Sequence, residues 1–311
     1  MMRYANRAAA SVALLTKTEP KRVRRNLATI REANARAEAM RDERALADRH
    51  RDSPALQRIC DALDAAPFAI VDRPVALDRE LTAATFGLRR SCEDRIYADV
   101  PLTALVGLFH RTWAPDATTW RSLLDGLHGR GWGRETLAYF ESEIGDSHFP
   151  APAAAYPLIL RAYGGAVVCV NGMHRLVAGV CWLAAQQGVE AVLRKVELQV
   201  YDVKRAVVMV MVDAQGRGET VYAAFNANCE TVLIRARSAR ADRYWHVDSD
   251  QIVPIPAPGG WHHAWRRWLG QRARAGAGLT WQVVPPTVIA ALADDGWLQA
   301  QRIEPRYVDS P

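Results

Sequence analysis

Ala166-Val-Val-Cys-Val170, Asn171-Gly-Met-His-Arg175 and Leu176-Val-Ala-Gly-Val-Cys-Trp-Leu-Ala-Ala185 follow one another without a break. The first is a bounded run of valines and an alanine around a cysteine, and reads as a short apolar strand. In the third, apolar positions 176, 177, 180, 183 and 184 recur at helical spacing, which predicts a helix starting at about residue 174. The glycine turn between them puts His174 and Arg175 in the first helical turn. There the backbone N–H groups lack intrahelical partners and the helix dipole is positive. Two further cationic groups at that end cost energy unless an anion is shared, and phosphate is the obvious anion. The plainer alternative is a turn in which His174 caps the helix and Arg175 lies on its solvated side. Gly172, Ala178 and Gly179 permit close backbone approach, either to a ligand or to a neighbouring element.

The string Val170-Asn171-Gly172-Met173-His174-Arg175-Leu176, with Ala178 or Gly179 as the small helix residue, resembles a known superfamily. It contains ParB-type nucleotide-binding domains, sulfiredoxin, the ParB-like free-serine kinases and the DGQHR-domain proteins of DNA-modification systems. Upstream, Tyr156-Pro-Leu-Ile-Leu-Arg-Ala-Tyr-Gly-Gly165 is similar to the strand and hairpin turn that precede the motif there, which makes 158–161 and 166–170 partner strands. Downstream, Ala206-Val-Val-Met-Val-Met-Val212, the turn 213–218 and Val221-Tyr-Ala-Ala-Phe-Asn-Ala-Asn228 are similar to the DGQHR pattern of a strand followed by Phe and Asn. Phe225, Asn226 and Asn228 carry that part. The resemblance spans roughly 150–235.

Two departures qualify it. Asn171 stands where DGQHR proteins have Asp, so a carboxylate is missing there. Met173 stands where sulfiredoxin has its catalytic Cys, and a thioether cannot form the thiol-based intermediate, which argues against sulfinic acid reduction. The resemblance otherwise implies a nucleotide or phosphate pocket built from Asn171, Gly172, Met173, His174 and Arg175, with Asn226 and Asn228 contributing. ATP or another nucleoside triphosphate is then the expected cofactor, accompanied by Mg²⁺. Phosphoryl transfer needs a divalent cation held by carboxylates, together with a base or positioning group. Glu141 and Glu143, near the end of a helix expected over 134–144, are the nearest upstream acids, and His174 is the candidate base. The other reading of those acids is a solvated helix end.

Length and composition frame this site. The chain has 311 residues, 50% hydrophobic and 24% charged, with a net charge of +6. It is long enough for one large or two modest domains, and no apolar run reaches eighteen residues, so no membrane partner is expected. Met1–Leu15 imitates a signal peptide weakly but runs into Lys17–Arg25 without a convincing cleavage site. The five cysteines form no close pair, which fits a reducing compartment, and a cytoplasmic location is expected. No metal-ligand, Walker A, His-Glu-x-x-His or Gly-x-Ser-x-Gly pattern occurs.

The flanks are basic. Residues 18–65 carry many arginines on an alanine-rich helical pattern, read as a surface helix or, through Arg22 and Arg25, a nucleic-acid contact. Asp52-Ser53-Pro54 signals a further short helix through Leu63, Phe68–Val71 suits a strand, and 102–110 and 120–127 suit short helices. Pro-rich 253–260 reads as a linker or rigid wrap. In Trp261–Leu269 the tryptophans share one helical face, a core face on the plainer reading, while Arg266 and Arg267 are available to DNA or RNA. The tail 283–297 reads as one helix. The sequence thus predicts an α+β protein: a helical basic arm (1–65), a ParB/sulfiredoxin-like core with a small mixed sheet (66–235), and a linker with a tryptophan-rich helical region (236–311). The expected function is a nucleotide-binding ATPase or phosphotransferase accessory to nucleic-acid modification. The alternative is a non-catalytic nucleotide- or DNA-binding module, with a homodimer as a candidate assembly. Arg175→Ala is expected to abolish most ligand binding and leave the fold intact.

Overall fold

The computed structural model describes residues 53–65, 70–77, 79–81, 89–151, 156–225, 232–247, 252–255 and 280–307. Arg22, Arg25, Asn226, Asn228, Arg266, Arg267 and the Trp261–Leu269 stretch lie outside them, as does half of the strand expected over Phe68–Val71. The chain divides into Met1–Arg51 and Asp52–Pro311, and the described residues all belong to the second unit.

The α+β class is borne out. Strand β5 (Ala166–Asn171) lies inside a six-stranded mixed sheet of order β1-β3-β5-β4-β6-β2. Its other members are β1 (Ala76–Leu77), β2 (Arg89–Pro101), β3 (Leu105–Leu108), β4 (Ile159–Tyr163) and β6 (Val192–Val203). The hairpin forms as expected, with Leu160 opposite Cys169 and Arg161 opposite Val168, while β3 runs parallel to β5 on its other side.

The uninterrupted apolarity of β5 has a direct cause: both faces of the sheet are covered. Val167 and Cys169 belong to one core, with α1 (Pro54–Ala65), α2 (Trp120–Asp125), α3 (Arg134–Glu141) and α4 (Met173–Gln187). Ala166 and Val168 point into a second core, with α5 (Arg205–Gly216), α6 (Pro286–Ala293) and the inner face of another sheet. That sheet is five-stranded and antiparallel, of order β10-β9-β8-β7-β11, built from β7 (Thr220–Phe225), β8 (Val232–Arg237), β9 (Asp242–Val247), β10 (Ile252–Ile255) and β11 (Thr280–Val283). Helix α7 (Gly296–Ile303) brings Leu298 into the first core.

Several local expectations are corrected. Residues 206–212 lie in helix α5, not in a strand. Val207, Val208, Met211 and Ala214 are buried, the spacing of one helical stripe, so the valine-rich composition was overridden by packing against β7 and α6. Residues 102–110 form one short 3-10 turn and then β3, because Leu105–Leu108 pair with β5. The strands of 156–235 are shared between two sheets instead of making one. Residues on both sides of the 235/236 boundary pair with each other in β8 and β9, and the start of the Pro-rich run is edge strand β10, where Pro254 is tolerated. The tail is β11 followed by two helices, α6 and α7. The Ser53 signal is borne out: its hydroxyl accepts from the Leu56 N–H at 3.3 Å at the start of α1.

Candidate functional site

Helix α4 begins at Met173, with Gly172 as its N-cap at φ +85°. Glycine is required there on two counts. The left-handed backbone disfavours a side chain, and a Cβ would stand 2.3 Å from Arg175 Nε. Arg175 folds back over the turn and is 6% exposed, so it does not lie on a solvated side. Its Nη2 donates to the carbonyls of Tyr156 at 2.6 Å and Pro157 at 3.2 Å, and Asn171 Nδ2 donates to the same Pro157 carbonyl at 2.6 Å. Arg175 is therefore part of the framework. The expectation that Arg175→Ala spares the fold is corrected, because the change removes the donor that ties the Tyr156 and Pro157 carbonyls to the start of α4.

The Arg175 guanidinium also lies beside the buried Tyr139 hydroxyl. Burial raises the Tyr139 phenol, and the neighbouring Arg175 charge offsets part of that rise.

A cavity of about 840 Å³ opens at the start of α4. Gly172, Met173, His174 and Arg175 form its floor. His110 and Trp113, from the loop after β3, form one wall. His128, Arg130 and Trp132, between α2 and α3, form another, and Phe149 and Ala151 close it behind α3. The loop after β3 and the turn after β5 leave the carboxyl ends of two parallel strands, the side of an α/β sheet on which ligands commonly bind.

Aromatic contacts hold the walls together. The His174 ring stands edge-on to Trp113 at 4.2 Å between centroids, and His110 lies 6.1 Å from the same indole. Trp132 meets Phe149 at 5.0 Å, and the Arg175 guanidinium lies 5.9 Å from the Phe149 centroid. Met173 takes part through its sulfur, which accepts from the His110 backbone N–H at 3.4 Å. Burial holds the His174 imidazole below its ordinary value of 6.5, and the charges of His128 and His110 push the same way. The dominant effect is desolvation of a group beside an indole.

Of the residues expected from the sequence, Gly172, Met173, His174 and Arg175 are brought together. Asn171 stands beside them, but its amide is turned to the Pro157 carbonyl. Glu141 and Glu143 are elsewhere. The Glu141 carboxylate accepts from Trp182 Nε1 at 2.8 Å, and Trp182 is eight residues beyond His174, about 12 Å along α4. Glu143 is exposed where the chain bridges to Arg194 of β6. Helix α3 ends at Glu141 and packs against the middle of α4, which takes both acids away from its N-terminus. Gly179 serves that packing: a Cβ there would meet Phe140 at 2.7 Å, so its smallness admits a neighbouring helix and not a ligand.

Sequence reasoning missed His110, Trp113, His128, Arg130 and Trp132. The signal available was His128-Gly-Arg-Gly-Trp-Gly133, in which glycine alternates with ligand-capable side chains.

The donors of the cavity do not fit the Mg²⁺ expected alongside a nucleotide. Mg²⁺ takes oxygen ligands, usually carboxylates, whereas the described lining offers imidazoles and guanidinium groups and no carboxylate. No group of three His, Cys, Asp or Glu residues able to hold a metal ion occurs among the described residues, and none of the described helices is long and apolar enough to cross a membrane. Comparison of the chain with protein-family models, with curated proteins and with solved structures finds no match.

Proposed function

We propose that the cavity at the start of α4 binds a nucleotide, with its phosphates toward Met173–Arg175 and its base toward the aromatic wall. The observation that carries this reading is the lining itself: two arginines and three histidines interleaved with Trp113, Trp132 and Phe149, with no carboxylate among the described residues. Cations and free helical N–H groups suit phosphate. Indole and phenyl faces suit a base, since stacking accepts any π-face. The volume lies within the range of small-molecule sites.

Between binding and phosphoryl transfer, the lining favours binding, because the two acids proposed to hold a cation sit along α3 and beyond its end. One observation supports turnover. His174 is held neutral near pH 7 beside the phosphate position, the form in which an imidazole accepts a proton. Nucleic-acid contact through Arg22, Arg25, Arg266 and Arg267, and a location in the cytoplasm, remain proposals resting on sequence alone.

The test is a titration of purified protein with the common nucleoside mono-, di- and triphosphates by calorimetry, with and without Mg²⁺ and DNA, paired with an assay for released phosphate. Saturable binding of a nucleotide, reduced in Arg130→Gln, supports the reading. No heat or competition with any nucleotide under either condition overturns it, and phosphate release above background that His174→Gln abolishes moves the assignment to an enzyme.

A further inference from the structure

We infer that the phosphate is bound without a divalent cation, its charge met by Arg130, His110 and His128 from the two loops outside the 171–175 turn, and that binding takes up protons. This rests on the nucleotide reading and adds to it the chemical form of the ligand: a free polyanion, not a metal complex.

Charge balance sets the requirement. A nucleoside di- or triphosphate brings two or more negative charges, and a site must neutralise them with a metal, with fixed cations or with protons. The fixed cation of the motif is largely spent, because Arg175 Nη2 already serves two backbone carbonyls and the guanidinium lies beside the Tyr139 hydroxyl. The second fixed cation, Arg130, is exposed on the cavity wall. What remains is imidazole.

The titratable and charged groups that face the cavity are His110 from the loop after β3, His128 and Arg130 from the α2–α3 loop, and His174 and Arg175 from α4, with Tyr139 of α3 behind Arg175. All but the phenol are bases. His110 and His174 flank Trp113, so their rings are separated by no more than the two ring distances together, a gap that a phosphate chain spans. Without ligand, burial holds His174 low, and the neighbouring His128 and His110 push the same way. A polyanion reverses that balance, favouring the protonated form of each imidazole it touches, so protons enter with it.

The experiment uses the full chain and ADP in excess chelator, by calorimetry at pH 6 and pH 8, in two buffers of different ionisation enthalpy. Sulfate, which keeps its charge across that range, serves as competitor, so that a pH effect on its competition belongs to the protein. The expected result is net proton uptake, roughly tenfold better competition by sulfate at pH 6 than at pH 8, and no tightening of ADP binding when Mg²⁺ replaces the chelator. His174→Gln should remove part of the pH dependence, and Arg130→Gln should weaken binding roughly tenfold or more at both pH values. Binding that requires Mg²⁺, or that is equal at both pH values with no proton uptake, overturns the inference while leaving nucleotide binding in place. Failure of every nucleotide to bind, with or without Mg²⁺, overturns both.

Discussion

The floor and the walls of the cavity are built in opposite ways. The floor, Gly172–Arg175, is local in sequence, and its arginine is fixed by a left-handed glycine and two backbone carbonyls. The walls come from loops far apart in the chain, and His110, His128 and Arg130 stand exposed on them. A substitution at Gly172 or Arg175 must therefore disturb the fold before it says anything about a ligand. Substitutions in the walls report on the ligand directly.

The largest effect that tests this contrast is in the floor. Gly172→Ala combines a strained backbone, about 1–3 kcal/mol, with displacement of the Arg175 side chain. Arg175→Ala leaves the Tyr156 carbonyl without its donor and removes one of the two donors to the Pro157 carbonyl, a loss of about 1–3 kcal/mol. Both should lower the midpoint of urea unfolding, and an unchanged midpoint for either would break the contrast. Next is Arg130→Gln, which should weaken nucleotide binding at least roughly tenfold with a stability change within about 0.5 kcal/mol. Loss of stability without loss of affinity would put Arg130 in the framework instead.

A smaller effect concerns acidity. The folded state holds His174 below 6.5, so between that lowered value and 6.5 the unfolded chain binds more protons. The contribution of this group to stability is complete above pH 6.5 and is lost as pH falls through that window. His174→Gln should flatten the acid side of a stability–pH curve, and an unchanged slope would argue that the ring is solvated. The smallest effect is Glu141→Gln: with the carboxylate on Trp182 and away from the cavity, nucleotide affinity should not change, and a roughly tenfold loss would return that acid to the site. Native thiol labelling sharpens the picture of the sheet. Cys169 and Cys181 are wholly buried with their thiols pushed up, and should react far more slowly than partly exposed Cys60.

Much of the floor was legible in the sequence. The run 166–169 is apolar at each position because β5 faces a core on both sides, and Gly172 marks a turn that other residues enter with strain. The hairpin partner was legible through the resemblance: 158–161 was expected beside 166–170, and β4 pairs with β5. The two acids were not legible, because their distance from α4's first turn depends on where α3 crosses α4, which Phe140 and Gly179 decide. Helix α5 was not legible because 206–212 was read only through its likeness to a pattern that contains a strand, and its packing against β7 and α6 shows the helical stripe.

By itself, the sequence determined the α+β class, the strand–turn–helix at 166–187 and the concentration of positive charge at that helix start, all of which rest on local patterns of polarity and backbone freedom. The tertiary structure alone decided which side chains share the cavity. His110, Trp113, His128, Arg130 and Trp132 are there because β3 pairs beside β5 and because α2 and α3 pack on α4. Those contacts join distant segments, and their energies come from burial and close packing of non-local surfaces, which no window of sequence contains.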